Sequence, residues 1–248
     1  MGSRLEAVVF DVDGTLVDSE RHGHRVAFND AFAAAGLPYS WDEEAYGHWL
    51  SVHGGVRRID AFLEEAGLSE EERQELAPRL HKHKTRLLRE MIDAGRIPPR
   101  PGMADLLDDL AGSGVRLGLA TVGSSGWVTH LLERLFPDVG FEVVITGADV
   151  EEKKPHPGCY LQALEGLGVA PEAAVAVEDS ATGLAAARAA KLACVVVRND
   201  YTAREDMTGA GLVLDGVDAE AHVLDDPHGL QPSLPLERET FERLLAKT

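Results

Sequence analysis

Residues 5–20 read "LEAVVFDVDGTLVDSE", and the fold turns on how this stretch is read. Leu5 to Phe10 is short, apolar and valine-rich, the composition of a strand covered on both faces. Asp11 and Asp13 follow at once, and Gly14 permits a sharp turn. Carboxylates this close repel one another. The stretch is therefore either a solvated turn or a place where something positive sits among acids.

Similar apolar runs recur downstream: "VRLGLA" (115–120), "FEVVI" (141–145), "AAVAV" (173–177), "ACVVV" (193–197) and a shorter "LVL" (212–214). Helix-length stretches separate them. This alternation predicts an α/β fold, a doubly wound parallel sheet with a Rossmann-like core. The gap between Phe10 and Val115 is far longer than one crossover helix needs. It holds helical patterns such as "HRVAFNDAFAAAG", "VRRIDAFLEEAG" and "EERQELAPRLHKHKTRLLREMIDAG", and then the punctuated link "RIPPRPGM" (96–103). We expect a core from residues 1–19 and 97–225, an inserted helical domain over 20–96, and a C-terminal linker with a short amphipathic helix over 226–248.

Composition narrows the function. The 248 residues carry 24 basic and 42 acidic side chains, a formal net charge of −18. Such a surface argues against general binding to nucleic acid or anionic lipid. An anionic substrate would need a local positive site. No apolar run approaches the ~20 residues of a membrane helix. The opening residues pass straight into a strand, and Cys159 and Cys194 do not suggest a disulfide framework. The expectation is a cytoplasmic protein with no membrane or obligate protein partner.

In open α/β sheets, ligands sit beyond the carboxyl ends of the strands. Asp11 and Asp13 follow the first run, and Thr121 with Ser124 in "TVGSS" follows the second. The loop "TGADVEEKKPHPG" with Lys153 and Lys154 follows the third, and Glu178, Asp179 and Ser180 follow the fourth. Each alone reads as a turn or a helix cap. Together they point to metal-assisted phosphoryl transfer: carboxylates suit a hard cation such as Mg2+, and the cation removes the repulsion between them. Asp11 is then placed as nucleophile and Asp13 as acid and base. Lys154 and Thr121 would hold the phosphoryl oxygens. The adjacent Lys153 is expected in solvent. His53-Gly54-Gly55 before a helix bearing Arg57 and Arg58 makes a candidate second anion site. His22, His81 and His83 read as solvated, and Cys159 as packing.

"DVDGT", the hydroxyl after the second strand, "KKPHP" and "VEDS" resemble the four motifs of the haloacid dehalogenase-like hydrolases. The resemblance implies Asp11 as nucleophile, Asp13 as general acid/base, Thr121 and Lys154 in the hydroxyl and lysine motifs, and Mg2+ held by Asp11, Asp13, Glu178 and Asp179, with Asp13 reaching the metal through its backbone carbonyl. It also implies that the helical insertion is a cap. Within the insertion, "SERHGHRVAFNDAF", "WDEEAYGHWL" and "HGGVRRIDAFL" resemble the CbbY-type sugar phosphatases. That narrower likeness implies xylulose 1,5-bisphosphate as substrate, with contacts from Glu20, His24, Tyr46, Gly54, Gly55, Arg58 and Ser124. Two positions depart from the pattern: Val56 stands where a lysine is expected, and Gly158 where an acid often follows. Competing expectations are a β-phosphoglucomutase-like transfer and an inactive sugar-phosphate sensor.

Overall fold

The structure, a computed structural model, describes residues 4–52 and 54–248, so His53 lies outside the described residues. It divides into two compact units, one of residues up to Asp18 together with Pro99–Thr248, the other of Ser19–Pro98. The second unit begins one residue earlier and ends two residues later than the borders drawn from sequence.

The first unit is built on a seven-stranded sheet in the order β3-β2-β1-β4-β5-β6-β7. The strands are β1 (Ala7–Phe10), β2 (Arg116–Ala120), β3 (Phe141–Ile145), β4 (Ala174–Glu178), β5 (Ala193–Val197), β6 (Leu212–Leu214) and β7 (Val223–Asp225). The first six run parallel, and β7 pairs antiparallel to β6. The sheet is thus the expected α/β core with one antiparallel edge. β7 gave no sequence signal because its three residues are all exposed and form no apolar run.

β1 lies between β2 and β4, with Val9 level with Gly118 on one side and Ala176 on the other. All four of its residues are buried, which explains its unbroken apolar character. Ala7, Val9, Ala176, Cys194 and Val196 pack with helices α7 (Gly158–Leu167) and α8 (Ala181–Ala189). The alternate side chains, such as Val8, Phe10, Val175 and Val177, point to the opposite face and are equally buried. There α5 (Met103–Gly112) packs on β2 and α9 (Arg238–Leu245) on β4. The tail's amphipathic helix packs onto this unit: α9 buries Phe241, Leu244 and Leu245, and covering a sheet face is what such a helix gains by docking. Cys159 and Cys194 are buried free thiols.

The second unit is helical. A π-helical turn over Glu20–His24 leads into α1 (Arg25–Ala34), followed by α2 (Glu43–Trp49), α3 (Gly55–Glu65) and α4 (Glu70–Asp93). Ser69 and Glu72 form a capping box that starts α4. The interior is aromatic: Trp41 lies 5.1 Å from Phe28, 5.0 Å from Phe32 and 4.9 Å from Phe62, centroid to centroid. Such pairs add about 0.5–1.5 kcal/mol each beyond area burial. Asn29 fixes the loop before α2 by donating to Trp41 O and accepting from Trp41 N, both at 2.8 Å. No helix among the described residues is long and apolar enough to cross a membrane.

Candidate active site

The parallel sheet sets the site at its carboxyl edge. Asp11 is the first residue after β1, and its N–H donates to Val177 O of β4 at 2.9 Å. Its carboxylate is thereby carried to the ends of the neighbouring strands. Thr121 follows β2, Lys154 lies in the loop after β3, and Glu178 and Asp179 close β4.

Lys154 reaches across three strand ends. Its Nζ donates to Asp11 Oδ1 at 2.6 Å and to Glu178 Oε1 at 2.6 Å. Lys154 is buried and the neighbouring Lys153 exposed, as expected for that pair. Glu178 Oε1 also accepts from Tyr160 Oη at 2.6 Å, and Glu178 Oε2 from the Asp179 N–H at 3.2 Å. Glu178 is thus the anchor of Lys154. At Gly158, where an acid was expected, the N–H donates at 3.2 Å to His156 Nδ1. Carboxylate oxygens of Asp11, Glu178 and Asp179 lie within 4.8 Å of one another, all three residues buried. Asp13, half-buried, stands outside this set. Its Oδ2 would lie 3.3 Å from a Cβ added at Gly123.

Asp179 is steered by Asn199, just beyond β5, whose Nδ2 donates to Asp179 Oδ2 at 2.6 Å. Asn199 Oδ1 in turn accepts from the N–H groups of Tyr201 at 3.0 Å and Thr202 at 3.2 Å, which fixes the amide. Gly14, at φ +86°, packs its backbone against the same pair: a Cβ there would fall 2.2 Å from Asp179 Oδ2. Gly183 leaves room for the Glu178 carboxylate, which a Cβ would meet at 1.9 Å. Ser180 caps α8 by accepting from Gly183 N at 3.2 Å. Capping and carboxylate presentation therefore occur in one turn. Thr121 Oγ1 accepts from Gly123 N at 3.1 Å, and Ser124 is exposed at the start of α6 (Ser125–Leu135).

The electrostatics follow from burial. Burial pushes the Asp11 carboxyl up to about 8, with Lys154 pulling it down and Glu178 and Asp13 raising it further. Burial, then Asp11 and Glu178, hold Asp179 well above the usual carboxylate range. Burial would lower the Lys154 ammonium, but Asp11 and Glu178 outweigh it and hold the group protonated. Three buried carboxylates against one ammonium leave the cluster short of positive charge. Oxygen donors in that arrangement could hold a hard divalent cation, with Asp11 and Asp179 the carboxylates left to it while Glu178 is engaged with Lys154.

The residues expected to contact substrate in the helical unit fall into two groups. Tyr46 Oη donates to Glu20 Oε2 and accepts from Arg58 Nη1 at 3.1 Å. Arg58 Nε is held by Trp49 O at 2.9 Å and Val52 O at 3.2 Å. Arg57 and Val56 are exposed beside it. Separately, Lys84 Nζ hydrogen-bonds His24 Nδ1 and lies 4.9 Å from the Phe28 ring centroid. Gly54, at φ +93°, has open space where a side chain would project, while a Cβ at Gly55 would strike His81 at 2.4 Å. His81 is therefore half-buried against the start of α3, less exposed than expected.

Three partners escaped the sequence reading. Asn199 follows the run "ACVVV", so the strand-end rule that found the acids would have found it. Tyr160 and Lys84 gave no signal, because each sits on a helix face whose orientation only the packing sets.

The description haloacid dehalogenase-like hydrolase matches residues 5–191. Protein CbbY of Rhodobacter capsulatus is 40% identical over 220 residues, covering 88% of this chain and 96% of that protein. The CBBY-like protein of Arabidopsis thaliana is 40% identical over 217 residues, 84% of this chain and 68% of that protein. Among solved structures, CbbY from Rhodobacter sphaeroides in complex with phosphate superposes with a TM-score of 0.75 at 40% identity, covering 86% of this chain and 94% of that one. A mutant of that CbbY in complex with xylulose-(1,5)bisphosphate matches equally. The putative β-phosphoglucomutase of Thermotoga maritima has a TM-score of 0.67 at 28% identity, over 84% of this chain and 93% of that one. With its acids, hydroxyl and lysine on successive strand ends, this chain belongs to the haloacid dehalogenase-like hydrolases, and CbbY proteins are among its relatives.

Proposed function

We propose that this chain is a Mg2+-dependent phosphatase of small sugar phosphates that works through an aspartyl-phosphate on Asp11, with xylulose 1,5-bisphosphate, hydrolysed to xylulose 5-phosphate, as its leading substrate. The observation that carries the reaction type is the buried Lys154 bonded to both Asp11 and Glu178 at 2.6 Å. An ammonium so placed can pass from the nucleophile's oxygen to those of an incoming phosphoryl group. The complex of CbbY from Rhodobacter sphaeroides with xylulose-(1,5)bisphosphate supports the substrate.

A carboxylate Oδ of Asp11 attacks phosphorus and the bond from phosphorus to the sugar oxygen breaks. Asp13 gives its proton to that oxygen as it leaves. Asp13 then takes a proton from water, which attacks the phosphorus; the bond to Asp11 breaks and inorganic phosphate departs. Lys154, Thr121 and the Gly123 region hold the phosphoryl oxygens throughout. Mg2+, held by Asp11, Asp179 and the Asp13 backbone carbonyl, would neutralise charge between nucleophile and phosphate. Arg58 and the open turn at Gly54 at the start of α3 bind the second phosphate, with Tyr46, Glu20, His24 and Ser124 contacting the sugar phosphate. The chain works in the cytoplasm on this reading.

The test is phosphate release from a panel of sugar mono- and bisphosphates, with and without Mg2+. Release that depends on Mg2+ and is abolished by Asp11→Asn is expected. Isomerised sugar phosphate without net release would assign a mutase, and tight binding unaffected by Asp11→Asn with no turnover would assign a sensor.

A further inference from the structure

Arg100 sits in the proline-rich link that reads as mere punctuation in the sequence. Its two terminal nitrogens nevertheless donate to four carbonyls. Nη1 donates to Gly14 O at 2.6 Å and to Val197 O at 2.8 Å. Nη2 donates to Arg198 O at 2.7 Å and to Asp215 O at 3.0 Å. The Arg100 N–H donates to Leu16 O at 2.9 Å, and Val17 bridges to Pro99 beside it. One side chain thus ties the loop after β1 to the ends of β5 and β6. Gly14 O lies on the turn that carries Asp13, Val197 O and Arg198 O on the backbone just before Asn199, and Asp215 O just after β6.

We propose that Arg100 is a positioning residue for the reaction: by holding the Gly14 carbonyl against the ends of β5 and β6 it sets where Asp13 and the Asp179 carboxylate stand. Gly14 is the pivot, because a Cβ added there would fall 2.2 Å from Asp179 Oδ2 and 2.8 Å from Asn199 Nδ2, so the turn has no room to shift toward that pair. A shift of this turn would move the acid/base carboxyl and the carboxylate partner of Asn199 together. The contact needs arginine. Two nitrogens of a planar fork each serve two acceptors, whereas a lysine has a single nitrogen at its tip. Burial lowers the Arg100 guanidinium from its ordinary value, and Asp179, Asp18, Asp215 and Asp200 oppose that shift.

The role in turnover rests on the phosphatase reading, so the experiment has one arm that needs no substrate. Arg100→Gln and Arg100→Lys are made in the full chain and compared with the wild type by amide hydrogen exchange and by steady-state kinetics. In exchange, the segment Asp11–Asp18 gains deuterium faster in both variants while β4 and β5 keep wild-type protection. In kinetics, kcat falls about 10- to 100-fold, the usual cost of losing a group that orients a ligand or catalytic side chain, while KM for the phosphate ester stays within about threefold, a ratio we set from the absence of Arg100 from the proposed phosphate contacts. Arg100→Lys does not restore kcat. Unchanged exchange over Asp11–Asp18, equal loss of protection across β4 and β5, or recovery by lysine would each overturn the proposal. A wild type that hydrolyses no phosphate ester would overturn the phosphatase reading instead, and the exchange arm would still decide whether Arg100 fixes the turn.

Discussion

Replacing Lys154 by Met tests the electrostatic design of the site most directly. Met keeps the length and apolar volume of the side chain and removes its charge. In the wild type the ammonium bonds Asp11 and Glu178 at 2.6 Å each, with both partners buried. The variant leaves Asp11, Glu178 and Asp179 together in a poorly solvated pocket with no ammonium between them. Removing one partner of a buried ion pair costs about 3–5 kcal/mol. For a chain of this size that is a fall in Tm of about 6–20 °C. The loss should be larger at pH 8 than at pH 5, because at the lower pH Asp11, pushed up to about 8, already carries a proton and asks less of Lys154. Thermal unfolding in EDTA at the two pH values measures this, and Mg2+ at pH 8 should recover part of the loss by replacing the missing charge. Turnover should drop at least about 100- to 1,000-fold, the cost of deleting one preorganised donor to a developing anion. A variant that unfolds at the wild-type temperature at pH 8, or whose kcat lies within tenfold of wild type, would refute the assignment of Lys154 as counter-charge and phosphoryl clamp.

The metal-free wild type should lose stability as pH rises from 5 to 7. Asp11 and Asp179 have folded values above their unfolded ones, so the folded state binds more protons in that window; Asp11 alone costs about 1.4 kcal/mol per pH unit, read as the urea midpoint in EDTA, and saturating Mg2+ should flatten the slope. Lys154, raised above its ordinary value, contributes a constant amount there and does not alter the sign. Gly183→Ala would put a Cβ 1.9 Å from Glu178 Oε2 and should cost about 1–3 kcal/mol with a matching fall in kcat, whereas Gly112→Ala on α5, with open space around it, should leave both near wild type. Arg58→Ala should raise KM at least about tenfold more for a bisphosphate than for a monophosphate, the scale of one charge-assisted hydrogen bond; an equal rise for both would remove Arg58 from the second phosphate site.

The strands were legible because a parallel strand covered on both faces must be apolar throughout, so "AVVF", "AVAV" and "ACVVV" could hardly be anything else. The acids, hydroxyl and lysine were legible for the complementary reason: polar groups interrupt such runs only where the strands end, and in this architecture those ends share one edge. The sequence by itself also told Lys154 from Lys153 through the neighbouring proline. β7 was hidden because an exposed three-residue edge strand needs no apolar signature, and the C-terminal amphipathic helix was legible but not the face it covers, because an amphipathic pattern does not say what it packs against. Only the tertiary structure decided that Glu178 anchors Lys154, that Asn199 steers Asp179, and that Arg100, far along the chain from Gly14, holds the Gly14 carbonyl in the turn after β1. Those pairings depend on which strands become neighbours and how far their ends reach, and a carboxylate, amide or guanidinium looks the same in sequence whether its partner is water or another side chain.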